Sequence, residues 1–280
     1  MSSAPLLKPY PGPRSPQVDK IWVVVPHSRP EHLRRVIENF ERQHFPGKRL
    51  LIAANGAASD DQHWINAGCP RDWIQTREHQ SIAKNEALAF IRKHGGGFFA
   101  TMDDDDWYGP GYLDELAGYA KSYDALGKRR HFVSLGDDLT DGAPQLLLCN
   151  RRYADSEDAA WLTGGTISGW AEAAVDYPMM KEAEDLSWCD RMHRQGARLR
   201  GLSIYHYLYR RSYAGAQHTY VRERGKFIEG LKNHDALELS MTPESGPIDL
   251  DIVTGEKAPG YCRLLGQQRW FPVDSPGLSP

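Results

Sequence analysis

The chain lacks the features that define several large protein classes. Its four cysteines, Cys69, Cys149, Cys189 and Cys262, lie far apart and form no CxxC pair, so neither a zinc site nor a disulfide framework is indicated. No apolar run approaches the roughly 20 residues needed to cross a bilayer. The formal net charge is only −3, which argues against a dedicated nucleic-acid binder held by a broad basic field. Reduced thiols and the lack of a transmembrane segment predict a cytoplasmic protein.

The composition fits a compact globular chain. With 280 residues, 40% of them hydrophobic and 25% charged, the chain can form one sizeable core or a core plus a small subdomain. Residues 1–18 contain five prolines and no apolar h-region, which predicts a flexible arm rather than a signal peptide.

An apolar strand ends in four consecutive carboxylates, Asp103 to Asp106, followed by Gly109-Pro110. Adjacent acidic side chains repel one another, and a hard divalent cation such as Mg²⁺ or Mn²⁺ is the usual compensation. Because alternate side chains of an extended chain share a face, Asp103 and Asp105 should point together while Asp104 points away. Taken by itself, the run also fits a solvated acidic turn.

The surrounding sequence alternates between strands and helices. Apolar segments at 21–26, 49–54, 72–76 and 98–101 predict strands, and periodic apolar residues over 33–40 and about 81–94 predict helices. This order is typical of an α/β fold, in which a parallel sheet is covered by helices and ligands bind outside the carboxyl ends of the strands. The four aspartates come at such an end.

At these residues the chain resembles the family 2 glycosyltransferases, which have the GT-A fold. The resemblance covers roughly residues 20–210 and rests on four motifs in the family's order: Val23-Val24-Val25-Pro26 with Arg29-Pro30, Ala83-Lys84-Asn85-Glu86-Ala87-Leu88, Met102 through Leu113, and Glu184 through Met192. It implies a Rossmann-like, mostly parallel sheet flanked by helices, with a small acceptor-side subdomain. The implied division is an arm at 1–18, a nucleotide-sugar half at 19–126, an acceptor half at 127–240 and a tail at 241–280.

The resemblance also implies an activity. The family moves a sugar from a nucleotide diphosphate sugar to an acceptor with inversion at the anomeric carbon, here with Mn²⁺ or Mg²⁺ and with a UDP-sugar as the favoured donor. The acceptor is open among a glycan, a peptide, a small molecule and a modified nucleobase, because acceptor specificity in such folds lies in variable loops. The alternative is a catalytically inactive GT-A protein that binds a nucleotide or glycan. A sugar-1-phosphate nucleotidyltransferase is disfavoured, because the Gly-rich N-terminal phosphate loop of those enzymes is absent.

Individual roles follow from the matched motifs. Asp185 matches the general base, with Glu184 or Glu182 as substitutes if the register differs. Asp105 is the expected metal ligand, supported by Asp103 and by His206, while Asp103 and Asp104 orient the donor. The remaining expected donor contacts are Pro26, Ser28, Arg29, Asn55, Lys84, Gly165 and Arg211.

Two of these positions depart from the family pattern. Asn55 stands where relatives often carry an acidic residue that holds the nucleoside base, although its amide can still hydrogen-bond a base edge. Lys84 stands where relatives often have arginine, and it also fits a solvated helix residue.

Several segments allow two interpretations. Residues 161–170, with paired glycines between tryptophans, fit either a sugar-stacking loop or core aromatics around a tight turn. The basic cluster 128–130 is typical of solvated surface. We expect a helix over 110–126, and strands over 131–135 and 145–149. The tail beyond about residue 240 packs onto the domain or onto a second subunit, which leaves a homodimer open.

Overall fold

A computed structural model of the chain describes residues 17–54, 71–75, 79–136, 145–149, 159–180, 183–211, 224–233, 236–242, 248–265 and 267–273. These residues form fourteen strands and six α-helices. The strands are β1 (Ile21–His27), β2 (Lys48–Ala54), β3 (Arg71–Gln75), β4 (Phe98–Thr101), β5 (Trp107–Tyr108), β6 (Ala125–Gly127), β7 (His131–Leu135), β8 (Gln145–Cys149), β9 (Ser168–Trp170), β10 (Leu199–Gly201), β11 (Tyr207–Arg211), β12 (Leu237–Ser240), β13 (Tyr261–Leu264) and β14 (Phe271–Pro272). The helices are α1 (Leu33–Arg42), α2 (Gln80–Lys93), α3 (Tyr112–Ala117), α4 (Glu184–Arg194), α5 (Arg224–Asn233) and α6 (Leu250–Thr254).

The chain divides into two compact units that are both discontinuous in sequence. The larger unit contains Gly12–Arg129 and Asp155–Leu202, and the smaller unit contains Met1–Pro11, Arg130–Ala154 and Ser203–Pro280. The four-part division expected from the sequence stays a prediction. No helix among the described residues is both long and apolar enough to cross a membrane.

The larger unit contains a mostly parallel sheet in the order β10-β6-β9-β4-β1-β2-β3. Strand β1 lies between β4 and β2 and is parallel to both, and β2 is parallel to β3. All seven residues of β1 are buried, as expected for a central strand covered on both faces. The short strand β9 runs antiparallel between β4 and β6. The predicted α/β fold with a mostly parallel sheet is therefore confirmed.

The core of this unit joins the sheet to α2 and α4. Trp22 of β1 and Ala87 of α2 belong to one buried cluster with Trp188 and Met192 of α4. Trp170 makes an edge-on ring contact with Phe98, at 5.6 Å between centroids, and its indole N–H donates to the Ala120 carbonyl. This favours the core interpretation of Trp170 over sugar stacking.

The expected helix over 110–126 is wrong beyond its first turns. Helix α3 ends at Ala117, before Gly118, and residues 125–127 form β6 instead. Leu126 pairs with Ser168 of β9 on one side and with Arg200 of β10 on the other. These partners come from later in the chain, so tertiary pairing overrides the local helical pattern.

The smaller unit has its own mostly antiparallel sheet, in which consecutive strands follow the order β14-β13-β12-β8-β7-β11. Strands β7 and β8 pair antiparallel, whereas β11 pairs parallel with β7. A second apolar cluster, which includes Val133, Leu147 and Ala236, packs in this unit. The predicted strands 131–135 and 145–149 are confirmed with these bounds.

Candidate active site

The acidic run begins two residues beyond β4, at the carboxyl end of that strand. The Met102 N–H donates to the Val24 carbonyl at 2.9 Å, which ties the start of the run to β1. Residues 104 and 105 then form a turn before β5. The sheet therefore delivers the four carboxylates to the edge where α/β sheets bind ligands.

Helix α1 holds the backbone of this acidic turn from one side. The Arg35 guanidinium donates to the Asp105 carbonyl at 2.9 Å, and the buried Asn39 amide donates to the Asp106 carbonyl at 2.9 Å. Asn39 also accepts the Tyr108 N–H at 3.1 Å. Because Arg35 and Asn39 are four residues apart, one helical face supplies both bonds.

Asp104 is buried in a cluster of cationic and imidazole side chains. His27 Nδ1 lies 3.0 Å from Asp104 Oδ2, Arg29 donates to Oδ1, and His32 Nδ1 lies 3.4 Å from Oδ1. Burial alone would raise the pKa of Asp104, but the hydrogen bonds from His27 and His32 and the Arg29 charge hold it well below its usual range. Asp104 is therefore a carboxylate fixed to the end of β1, only 3% exposed.

The other three aspartates form a potential cation site. One carboxylate oxygen from each of Asp103, Asp105 and Asp106 lies within 4.8 Å of the others. Arg29 also reaches Asp105, at 3.0 Å from Oδ2. Burial raises the pKa of Asp103 to about 7, where the Lys84 charge opposes the rise and the nearby carboxylates add to it. Negative charge at Asp103 is thus costly, and a cation would offset that cost.

Helix α4 begins at the second acidic motif. Ala183 precedes it in the left-handed conformation, with φ 60° and ψ 26°, which is uncommon for a residue with a side chain. The Leu186 N–H donates to Asp185 Oδ1 at 2.9 Å. Burial raises the pKa of Asp185, and this hydrogen bond opposes the rise. A carboxylate with a raised pKa in a fixed direction suits proton transfer.

Lys84 lies between the two acidic motifs. It is only 2% exposed, with Nζ 3.4 Å from Glu184 Oε1 and 5.0 Å from the centroid of the Tyr177 ring. The interpretation of Lys84 as a solvated helix residue is therefore wrong. Burial raises the pKa of Asp103 and of Asp185, and the Lys84 charge opposes part of each rise.

A turn at Gly164–Thr166 brings the two motifs together. A Cβ atom added to Gly164 would lie 3.1 Å from Asp185 Oδ2, and one added to Gly165 would lie 2.8 Å from Asp103 Oδ2. The Tyr108 hydroxyl donates to the Gly165 carbonyl at 2.6 Å and accepts the Asp103 N–H at 2.7 Å. The glycine pair thus forms a tight turn and also allows a close approach to both carboxylates.

The remaining expected site residues are distributed between the units. Pro26 is buried in β1 and Ser28 is exposed directly after it, both in the larger unit. His206, in the left-handed conformation at φ 65°, and the buried Arg211 lie in the smaller unit. Asn55 and Glu182 fall outside the described residues. The ligand roles expected for these residues stay predictions.

Asp106 and His27 belong to the site although they are not among the residues predicted from the sequence. Side chains that alternate along an extended chain would place Asp106 on the face opposite Asp103 and Asp105, but the chain turns at residues 104 and 105. For His27 there was a signal in its place directly after the apolar run of β1, at the carboxyl edge of the sheet.

Solved structures that share this architecture include two glycosyltransferase-fold proteins. One is S. aureus TarS 1–349, with a TM-score of 0.50 and 17% identity over 68% of this chain and 60% of that one. The other is the mannosyltransferase PcManGT from Pyrobaculum calidifontis in complex with GDP-Man and Mn²⁺, with a TM-score of 0.50 and 16% identity over 81% of this chain and 64% of that one. This chain has the GT-A glycosyltransferase fold.

The GT-A fold is shared here without close sequence similarity. No family model matches the chain, and no curated protein matches it in sequence. The matches span less than two thirds of the lengths of TarS and PcManGT. A fold alone does not determine a reaction, because one fold can carry unrelated activities, whereas the residues of the site determine the chemistry.

Proposed function

We propose that this protein is a metal-dependent, inverting glycosyltransferase that moves a sugar from a nucleotide diphosphate sugar to an acceptor. The observation that carries the proposal is the turn at Gly164 and Gly165, where a Cβ atom added to Gly164 would lie 3.1 Å from Asp185 Oδ2 and one added to Gly165 would lie 2.8 Å from Asp103 Oδ2. A candidate base and a candidate cation site therefore adjoin the same two residues. Inverting transfer needs both groups beside one bound donor.

The residues at the acidic turn fit a divalent cation. Asp103, Asp105 and Asp106 supply three carboxylate oxygens within 4.8 Å of one another, and hard oxygen ligands suit Mn²⁺ and Mg²⁺. Held by these three carboxylates, a divalent ion would stabilise the charge on the departing nucleoside diphosphate. Asp104 is already bound to His27 and Arg29, so we assign its carboxylate to holding the turn.

Asp185 is the proposed general base. The acceptor oxygen attacks the anomeric carbon and forms the new glycosidic bond while the bond from that carbon to the diphosphate oxygen breaks. The diphosphate keeps the electron pair, and the acceptor proton passes to the Asp185 carboxylate. The raised pKa of Asp185 favours this transfer, because a base works best when its pKa lies near the working pH.

The donor is proposed as a UDP-sugar or a GDP-sugar. The family resemblance favours UDP, whereas one structure of the same fold was solved with GDP-Man and Mn²⁺, so both nucleotides belong in the first test. Arg29, beside Asp105, and the buried Lys84 are the proposed cations near the diphosphate. Pro26, Ser28, Asn55, Arg211 and His206 keep the donor and metal roles proposed from the resemblance.

A panel of nucleotide sugars, measured by thermal unfolding with and without Mn²⁺, tests the proposal. A donor at 100 times its Kd should stabilise the fold by about 2.7 kcal/mol, and this gain should disappear without the metal. Release of UDP or GDP with water as acceptor then separates an enzyme from an inactive nucleotide binder. The transferase assignment would be contradicted if a donor stabilises the fold in a metal-linked way but no donor releases UDP or GDP, even when cell extract is added as a source of acceptors.

We propose the cytoplasm as the location of the enzyme. Cys149, Cys189 and Cys262 are buried free thiols, and burial raises the pKa of both Cys149 and Cys189, which makes these thiols unreactive. Free thiols are typical of reducing compartments.

A further inference from the structure

A buried ion pair in the larger unit has no part in the proposed chemistry. Lys128, which follows β6, is fully buried, and its Nζ lies 2.5 Å from Oε2 of Glu115 in α3, which is 5% exposed. The same ammonium lies 5.7 Å from the centroid of the Tyr112 ring. The sequence expectation of solvated surface at residue 128 is therefore wrong.

The backbone of Lys128 forms hydrogen bonds with both ends of the glycine turn. Its N–H donates to the Thr166 hydroxyl at 2.8 Å, and its carbonyl accepts the Thr163 N–H at 2.7 Å. The Thr166 hydroxyl in turn donates to the Thr163 carbonyl at 2.7 Å, which closes the turn. Tyr112, one helical turn before Glu115, donates from its hydroxyl to the Thr166 carbonyl at 3.1 Å. Hydrogen bonds from Tyr112 of α3 and from the Lys128 backbone therefore hold residues 163–166.

We propose that Lys128 and Glu115 are positioning residues, which fix the Gly164-Gly165 turn and through it the relation of Asp185 to Asp103. The inference rests on the proposed function, because it gives the turn a role in aligning base and cation site. The ion pair fixes the Lys128 side chain, and the Lys128 backbone fixes the turn. The turn leaves so little space beside the two carboxylates that a Cβ atom on Gly164 would lie 3.1 Å from Asp185 Oδ2 and one on Gly165 would lie 2.8 Å from Asp103 Oδ2. All of these residues belong to one compact unit.

Stability alone gives little reason for this ion pair. Burying two charges carries a desolvation cost that their attraction offsets only in good geometry, and apolar replacements of similar volume are often neutral or stabilising. An apolar pair would fill the same space, but without a directional bond the side chain at position 128 could change its orientation. Replacing the ion pair with an apolar pair therefore tests orientation separately from stability.

The test compares the full-length wild type with the double variant Lys128→Met/Glu115→Leu. We expect its melting temperature to stay within about 3 °C of wild type, because the apolar pair removes both buried charges together. Amide hydrogen exchange at Thr163 and Lys128 should become at least about tenfold faster, since the Thr163 N–H bonds the Lys128 carbonyl and the Lys128 N–H bonds the Thr166 hydroxyl. Exchange in β1 should not change.

The kinetic readout is release of UDP or GDP from UDP-glucose or GDP-mannose with Mn²⁺. We expect kcat to fall about 100-fold, as for a misplaced reacting group, while KM for the donor changes less than about threefold. The matched control Arg34→Met/Glu38→Leu removes an exposed i,i+4 pair on α1 of the same unit. This control should leave both exchange and kcat at wild-type values.

Each outcome decides the inference. Unchanged exchange at Thr163 and Lys128 in a folded double variant overturns it, and so does faster exchange with wild-type kcat. If the double variant fails to fold, Glu115→Gln, which keeps the shape and removes one charge, gives the same readouts. Failure of the proposed function is recognised separately, because then the wild type itself releases no nucleotide from any sugar donor, while the exchange result still shows whether the pair holds the turn.

Discussion

Replacing Asp103 with asparagine should stabilise the metal-free protein at pH 8. Burial raises the pKa of this carboxyl from 3.8 to about 7. Such a group contributes its full stability below the unfolded pKa, and that contribution is lost as pH rises through the folded pKa. The shift of about three units corresponds to about 4 kcal/mol at most. Because Asp103 is partly exposed, solvent screening reduces the expected gain in Asp103→Asn to about 1 to 2 kcal/mol.

The assay is chemical denaturation of wild type and Asp103→Asn in chelator at pH 5 and pH 8. The difference in free energy of unfolding should be larger at pH 8, where the wild-type carboxyl must ionise. Adding Mn²⁺ should reverse the order, because the cation stabilises only the protein that keeps the carboxylate. A variant that is less stable than wild type at pH 8 without metal would refute the assignment of Asp103 as a carboxyl whose ionisation is costly.

Four further predictions address the other parts of the site. Asp105→Asn should leave the fold intact but abolish Mn²⁺-linked binding of UDP and GDP, measured by calorimetry; unchanged metal linkage would exclude Asp105 as a ligand. Asp185→Asn should lower kcat by about 10²- to 10⁴-fold with donor affinity unchanged, and near wild-type turnover would move the base role to another residue. Gly164→Ala should lower kcat about tenfold without weakening Mn²⁺ binding, because its Cβ would lie 3.1 Å from Asp185 Oδ2. Gly165→Ala should mainly weaken Mn²⁺ binding, because its Cβ would come 2.8 Å from Asp103 Oδ2, and identical effects of the two glycine variants would refute the geometry of the turn.

Elements with a local signal could be predicted from the sequence. Strands β7 and β8 have the expected bounds because each is an apolar run between turn residues. Helix α4 ends just before Gln195-Gly196, where Gly196 has a positive φ of 79° that glycine adopts readily. Strands β6 and β9 could not be predicted, because each has only three residues and depends on partners distant in sequence.

Only those features of the site that depend on neighbouring residues in the sequence could be predicted. Asp103 and Asp105 lie in one carboxylate group, as alternation along the chain predicts, whereas Asp104 binds His27. Asp104 and Asp105 nevertheless share a contact with Arg29. Asp106 joins Asp103 and Asp105 only because the chain turns at residues 104 and 105. Hydrogen bonds from Arg35 and Asn39 of α1 to the backbone carbonyls of Asp105 and Asp106 hold this turn. No pattern within residues 98–113 contains that information.

The four aspartates differ physically although they are identical in sequence. Asp104 receives His27, His32 and Arg29, so its charge is stabilised and its pKa falls. Asp103, one residue earlier, is partly buried beside other carboxylates, so its pKa rises to about 7. A run of like charges on one turn would otherwise destabilise the fold. Pairing Asp104 inside the protein secures the turn, and Asp103, whose charge Lys84 offsets only in part, is a carboxylate that a cation would bind. The pKa values of these two neighbouring residues shift in opposite directions. Asp104 thus holds the loop, and Asp103 is available to a metal ion.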